Sequence, residues 1–182
     1  MEKVYEYSHL GGAEILLVRY PEIGAEIDAT ISAISQIGKN KESREKTKVG
    51  RMLYSPKELN ARFTEEFRSR GFEELRDTYT IRIPGSEVAI AGAYKQVDFV
   101  KDRVLVEVQF GKYAFMFYDM AKFQYFFNES KCDVGVEIVP CHSLHREMSS
   151  GVSYGEQLVY DIERLKRHFP AVPVKVILID VD

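Results

Sequence analysis

Asp98, Glu107 and Gln109 are the residues of this chain whose types and spacing suit chemistry. They lie in QVDFVKDRVLVEVQFGKY, residues 96 to 113. Within it Val104, Val106, Val108 and Phe110 alternate with Arg103, Leu105, Glu107 and Gln109, the period of a strand, which puts Glu107 and Gln109 on one face. A tight turn near Lys101-Asp102 makes the segment a hairpin; centred on that bond, it sets Asp98 opposite Leu105 and diagonal to Glu107. Carboxylates held within a few ångströms repel unless a cation sits between them, and Mg²⁺ takes oxygen ligands while keeping several waters. Asp98 and Glu107 are therefore expected to hold Mg²⁺, with the backbone carbonyl of Val108 as a third ligand. The metal would polarise a bound electrophile and lower the pKa of a water. Gln109 can neither carry charge nor act as a base, so it is expected to orient that water by hydrogen bonds. On spacing alone, a solvated surface hairpin accounts for the same three residues more often than a site does.

The flanking elements must place this hairpin. Residues 14 to 19 read as a short apolar strand, followed by a helix from Pro21 with Ile23, Ile27, Ile31 and Ile34 in one stripe, ended by Gly38. Residues 39 to 51 hold six basic side chains, Lys39, Lys41, Arg44, Lys46, Lys48 and Arg51, against Glu42 and Glu45. They suit a solvated loop or phosphate contacts. Ser55-Pro56-Lys57-Glu58 is a capping box that opens an amphipathic helix through Leu59, Phe63 and Phe67 to Gly71. Residues 75 to 83 alternate as a strand and stop at Pro84-Gly85. Tyr113 to Asn128 is aromatic-rich without proline or glycine, and its length predicts a buried helix rather than a platform for stacking bases. Cys132 to Pro140 is strand-like and returns in parallel after that crossover. Ser153 to Glu156 reads as a second capping box, opening a helix with Leu158, Ile162 and Leu165 inside and a Glu163/Arg167 pair outside. Val172 to Asp180 is the last strand. The order predicts an α/β fold, a mixed central β-sheet flanked by helices.

Composition sets the outer bounds. A chain of 182 residues that is 45% hydrophobic, with no internal repeat, suits one domain spanning 1–182. A net charge of -3 confines any nucleic-acid site to a local patch. The start lacks a basic end followed by an apolar run of signal length, and no stretch approaches a membrane span, so no membrane partner and a cytoplasmic location are expected. Cys132 and Cys141 bracket one predicted strand, too far apart for a mutual disulfide, and are read as buried thiols. Cys141-His142-x-x-His145 lacks a convincing fourth zinc ligand and is set aside.

Asp-x8-Glu-x-Gln resembles the nuclease signature Asp-x(n)-(Asp/Glu)-x-Lys, with Gln109 in the place of the lysine. The likeness extends further. DFVKDRVLVEVQFGKY, the Ser55-Pro56 helix start, DVGVEIVP (133 to 140) and EMSSGVSYGEQ (147 to 157) follow the order found in the BglII and BstYI branch of type II restriction endonucleases, with BstYI the nearer pattern. That resemblance implies a restriction-endonuclease-like PD-(D/E)XK core and a homodimer. It also implies Mg²⁺-dependent hydrolysis of double-stranded DNA at a short palindrome with a GATC centre, RGATCY. It makes Asp98, Glu107 and Gln109 catalytic; glutamine there is the BglII-type pattern and does not imply a dead enzyme. Lys112, just past the catalytic strand, and Ser149, Ser150 and Gly151 match the base-reading segments. Glu73 and Glu74 stand where relatives use a further polar residue, but exposed glutamates are commonplace and both are left out of the site. The chain departs from the pattern by ending just past its last strand and by its short connector, residues 84 to 93. A repair or junction nuclease with the same core and a catalytically silent DNA-binding dimer fit the same residues.

Overall fold

Three valine-rich segments of the sequence, 104–108, 134–140 and 174–180, become strands at the centre of a six-stranded sheet in a computed structural model that describes residues 1–181. In chain order the elements are β1 (Glu2–His9), α1 (Gly12–Arg19), α2 (Pro21–Ala33), β2 (Lys41–Glu42), β3 (Met52–Leu53), α3 (Pro56–Ser69) and β4 (Glu73–Arg82). They continue with β5 (Ala89–Lys101), β6 (Val104–Val108), α4 (Tyr113–Asn128), β7 (Val134–Pro140), α5 (His142–Arg146), α6 (Gly155–Leu165) and β8 (Val174–Asp180). The sheet order is β1-β8-β7-β6-β5-β4. Strands β6, β7 and β8 run parallel, joined by crossovers that contain α4 and α6, while β4, β5 and β6 form an antiparallel meander and β1 lies antiparallel on β8. Parallel strands covered on both faces must be apolar throughout, and every residue of β7 is buried. The expected mixed sheet between helices is therefore present.

Each face is closed by aromatic packing. Ser55 Oγ accepts from Glu58 N at 3.4 Å and starts α3, a cap of the kind that contributes ~1 kcal/mol. Phe67 of α3 stacks on Phe99 of β5 at 4.6 Å and Phe63 meets Phe110 at 6.0 Å, so α3 covers the face opposite Glu107. Helix α4 lies on the other face. A Cβ at Gly135 of β7 would sit 2.5 Å from the Phe123 ring, so the missing side chain is what lets α4 rest on the sheet. Gly155 gives α6 the same close approach, with Val139 Cγ2 2.5 Å from where a Cβ would be.

Several local expectations fail for identifiable reasons. Residues 14 to 19 are helical, within α1, and the strand at this end is the unanticipated β1. As an edge strand β1 leaves Glu2 to Glu6 exposed and shows no apolar alternation, whereas Gly12 carries α1 hard against Val174, whose backbone a Cβ would approach to 2.4 Å. Helix α2 stops at Ala33 rather than at Gly38; Ile34 is extended yet still buried. The second capping box does not form. Tyr154 caps α6 without a side-chain bond, and Glu156 accepts from His142 N of α5 at 3.0 Å. Leu165 is exposed, and Glu163 pairs with Lys166 at 2.7 Å rather than with Arg167. Cys132 and Cys141 are free and buried, and burial pushes the Cys132 thiol up to about 12. No helix among the described residues is long and apolar enough to cross a membrane.

Candidate active site

The hairpin turns one residue later than its centre at Lys101-Asp102 implied. Phe99 pairs with Val106, Val100 with Leu105 and Lys101 with Val104, so the turn is Asp102-Arg103. Asp102 takes φ 51, a left-handed conformation that aspartate tolerates better than most residues, and this fixes the register. Continued outward, the register brings Asp98 opposite Glu107 rather than diagonal to it. The turn is anchored from both sides: Lys101 Nζ donates to Glu26 at 2.7 Å and to the Arg70 carbonyl at 2.9 Å, and Arg103 Nε donates to Asp133 at 2.7 Å. Asp98 is exposed and Glu107 is 2% exposed, so the pair spans the boundary between solvent and core. Gln109 follows the end of β6, its N–H donating to the Ile138 carbonyl at 3.0 Å, with the Val108 carbonyl group between it and Glu107.

Three further ionisable side chains, which sequence reasoning missed, meet these residues. Helix α4 turns Asp119 and Lys122, one helical turn apart, toward the sheet. Gln109 Nε2 donates to Asp119 Oδ2 at 3.0 Å, Lys122 Nζ pairs with Asp119 Oδ1 at 2.7 Å, and the same ammonium donates to Glu107 Oε1. Glu137 pairs in parallel with Glu107, is 0% exposed, and neither of its carboxylate oxygens has a partner. Both signals were legible in principle. Asp119 falls in the buried stripe formed with Met116, Met120, Phe123 and Phe126, with Lys122 a turn further on, and Glu137 interrupts an otherwise apolar strand.

Charge in this cluster does not balance. Burial, and then the charge of Asp119, push the Glu107 carboxyl well above its usual range against the opposing pull of Lys122. Burial raises Asp119 as well. Burial first, then Asp119 and Glu107, drive Glu137 strongly upward. Burial alone would lower Lys122, but Glu107 and Asp119 outweigh it and hold the ammonium charged. One lysine thus stands against three buried acids and contacts two of them, Glu107 and Asp119, with Asp98 a fourth carboxyl nearby. Such a donor set fits a divalent cation. Among the described residues no three His, Cys, Asp or Glu side chains close into a cage. Mg²⁺ does not need one, since it uses one or two carboxylates and fills its remaining positions with water and phosphate oxygens.

The chain next to Lys112 and the chain just after Ser149 to Gly151 are joined by a backbone bond past the end of this strand. Lys112 is the exposed residue preceding α4, Ser150 and Gly151 are exposed, and Ser153 N donates to the Gly111 carbonyl at 2.9 Å. The basic stretch is neither a free loop nor wholly available to a ligand. Its strand β2 pairs with β3, which follows it directly, and the stretch braces residues 146 to 150. Lys41 Nζ donates to Ser149 Oγ at 2.6 Å, Ser150 N donates to Glu45 at 3.0 Å, and Lys39 and Arg51 both pair with Glu147. Lys48 caps the Arg146 and Met148 carbonyls at 3.1 and 2.8 Å. Elsewhere, Cys141 Sγ lies 3.1 Å from Asp180 while the rings of His142, His145 and Tyr154 pack on one another. Glu73 and Glu74 are exposed at the start of β4, and Glu74 accepts from Gln96 at 2.8 Å.

Comparison with known proteins bears on the fold and the family. The family model described as restriction endonuclease BglII/BglIII matches residues 4–179. The crystal structure of restriction endonuclease BglII complexed with a DNA 16-mer superposes with a TM-score of 0.77 at 21% identity, covering 100% of this chain and 79% of that one. Free BglII superposes with a TM-score of 0.69 at 19% identity, covering 100% and 81%. No curated relative matches the chain. With nearly its whole length inside the family model and its mixed sheet laid out as in BglII, the chain belongs to the BglII/BglIII family of restriction endonucleases and is a type II restriction endonuclease.

Proposed function

We propose that residues 1–182 form one endonuclease domain that acts as a homodimer and hydrolyses double-stranded DNA with Mg²⁺. Asp98 and Glu107, with the Val108 carbonyl, hold the metal, and Gln109 orients the attacking water. The observation that carries this reading is the buried acidic cluster, short of positive charge and open to solvent at Asp98. Phosphodiester hydrolysis needs a positioned water, charge stabilisation at phosphorus and a proton for the leaving oxygen. Bound Mg²⁺ supplies the Lewis acidity and lowers the pKa of the water. The chain's own residues do the rest. Asp119 accepts from the Gln109 amide nitrogen, which leaves Oε1 as the free acceptor for a water hydrogen. The apolar walls of β6 and β7 strengthen each of these interactions by excluding bulk solvent.

Specificity in this reading comes from Lys112, Ser149, Ser150 and Gly151 in the major groove, on a palindrome with a GATC centre, RGATCY. A palindrome read by two copies around a two-fold axis receives one active site per strand. The related BglII structure contains DNA, which supports the same partner here. A flexible ammonium donates to N7 of either purine, whereas a rigid amide pairs with N6 and N7 of adenine together, so Lys112 suits a degenerate outer purine.

The test is digestion of supercoiled plasmid with Mg²⁺ by the wild type and by Asp98→Asn and Glu107→Gln. Discrete fragments from the wild type are expected, with loss of ~10²-fold or more in rate for each variant while DNA binding persists. Nicking without sequence preference would point to a repair-type nuclease, and absence of cleavage to a silent DNA-binding dimer. Near wild-type cutting by Asp98→Asn would sink the metal assignment.

A further inference from the structure

We propose that Lys122, carried on α4, supplies the positive charge that Gln109 cannot, and that Asp119 is the positioning residue holding both the Lys122 ammonium and the Gln109 amide beside the carboxylates. The inference rests on the roles given above to Asp98, Glu107 and Gln109. In the signature that this hairpin resembles, a lysine stands where Gln109 is, so the strand itself brings no cation to the site. The fold brings one from the neighbouring helix. Lys122 Nζ reaches Glu107 Oε1 and lies 2.7 Å from Asp119 Oδ1, while the other oxygen of Asp119 accepts from Gln109 Nε2 at 3.0 Å.

The alternative is that Lys122 only neutralises buried acid for the sake of the fold. Two observations weigh against it. A helix packed on a sheet needs no charge on its inner stripe, and buried pairs are often replaceable by apolar residues without loss of stability. A neutraliser would also be expected to serve Glu137, the most deeply buried acid of the cluster, yet both Glu137 oxygens lack a partner and the ammonium is directed instead at Glu107, opposite Asp98.

Moving the charge back to the strand separates the two roles. Lys122→Met is expected to slow single-turnover cleavage by ~10²-fold or more. Its DNA affinity in Ca²⁺ should stay unchanged, and its binding of Mn²⁺ without DNA should tighten by about tenfold because a competing cation is gone. The double variant Lys122→Met with Gln109→Lys should cleave at least about tenfold faster than Lys122→Met with Gln109→Ala, which has lost the same amide, since an ammonium stands at the same carboxylates again. Asp119→Asn should lower kcat with KM for DNA unchanged. If Lys122→Met does not melt cooperatively, Lys122→Gln, which keeps hydrogen bonds without charge, carries the same expectations. Cleavage by Lys122→Met at the wild-type rate, weaker Mn²⁺ binding, or a folded, DNA-binding Lys122→Met/Gln109→Lys variant no faster than Lys122→Met/Gln109→Ala would each overturn the proposal for Lys122. An unaltered kcat for Asp119→Asn would overturn the positioning role. Asp98→Asn run alongside distinguishes the failures: if it too cleaves normally, the parent assignment has failed, and if it is inactive, only the lysine proposal has.

Discussion

Gly111 offers a steric handle on Gln109 that displaces the amide without removing it. A Cβ built on Gly111 would lie 2.5 Å from Gln109 Oε1 and 3.5 Å from the Phe115 ring. The second is ordinary contact; the first falls short of a comfortable ~3.5 Å separation by ~1 Å. Gly111 does not have a positive φ, so alanine is compatible with its backbone, and the atom that must yield is the tip of a flexible side chain. Gly111→Ala should therefore cost little stability while driving Oε1 away from its position by ~1 Å, a misplacement that can lower a rate by ~10²-fold. The assay is single-turnover cleavage of a cognate oligonucleotide in Mg²⁺, with binding measured in Ca²⁺ and a thermal melt as controls. The same substitution in a Gln109→Ala background should add no further loss, because the displaced group is no longer there. Wild-type cleavage by Gly111→Ala, or full additivity of the two losses, would refute the role given to the Gln109 oxygen.

Glu137→Gln should raise the melting temperature, and increasingly so as pH rises. The folded state holds this carboxyl far above its unfolded value, so folding takes up a proton. The stability present below the unfolded value of ~4.3 is lost as pH climbs toward the folded one. Melting curves across pH 4 to 8, on a scale of ~2–4 °C per kcal/mol, check this, and a gap between variant and wild type that does not widen with pH would contradict it. Arg44 and Lys46 are the exposed basic residues of the 39–51 stretch with neither an ion pair nor a side-chain hydrogen bond among the described residues, so removing both should lower the salt slope of DNA binding by roughly 0.9 for each phosphate that is no longer neutralised. An unchanged slope would leave them as solvated charges. Lys112→Asn with Ser150→Asn should shift preference toward AGATCT over GGATCC by up to ~1–3 kcal/mol in competitive cleavage. An unaltered ratio in a double variant that still cuts would remove these residues from the outer base pair.

What the sequence disclosed and what it hid divide along physical lines. The alternation of Val104 to Gln109 and the capping box at Ser55 are local patterns, and both the hairpin and α3 stand where they place them. The hairpin register differs by one step from the one that alternation suggests, because the turn depends on Asp102 accepting a left-handed φ, a preference that apolar alternation does not report. Edge strand β1 is invisible in the sequence because little of it is buried, while α1 reads as a strand because an apolar run of that length satisfies either period. The candidate site is half legible. Asp98, Glu107 and Gln109 lie on one hairpin, but Asp119, Lys122 and Glu137 join them only through the α4 crossover and the parallel register of β6 with β7. The basic stretch looks like an independent loop because its partners, Arg146 to Ser150, are about a hundred residues away.

The bond from Ser153 N to the Gly111 carbonyl ties two kinds of information into one piece of backbone. On one side are Ser149 to Gly151, which face the bases in the proposed complex; on the other, two residues from Gly111, is Gln109. On that proposal, a wrong base pair that displaced the loop would pull on main-chain atoms next to the group that aims the water, while phosphate contacts elsewhere would still hold the duplex. An error in sequence would then register as a stalled reaction and not as early release. The proposed checkpoint would lie at hydrolysis, and near-cognate DNA would leave the complex uncut.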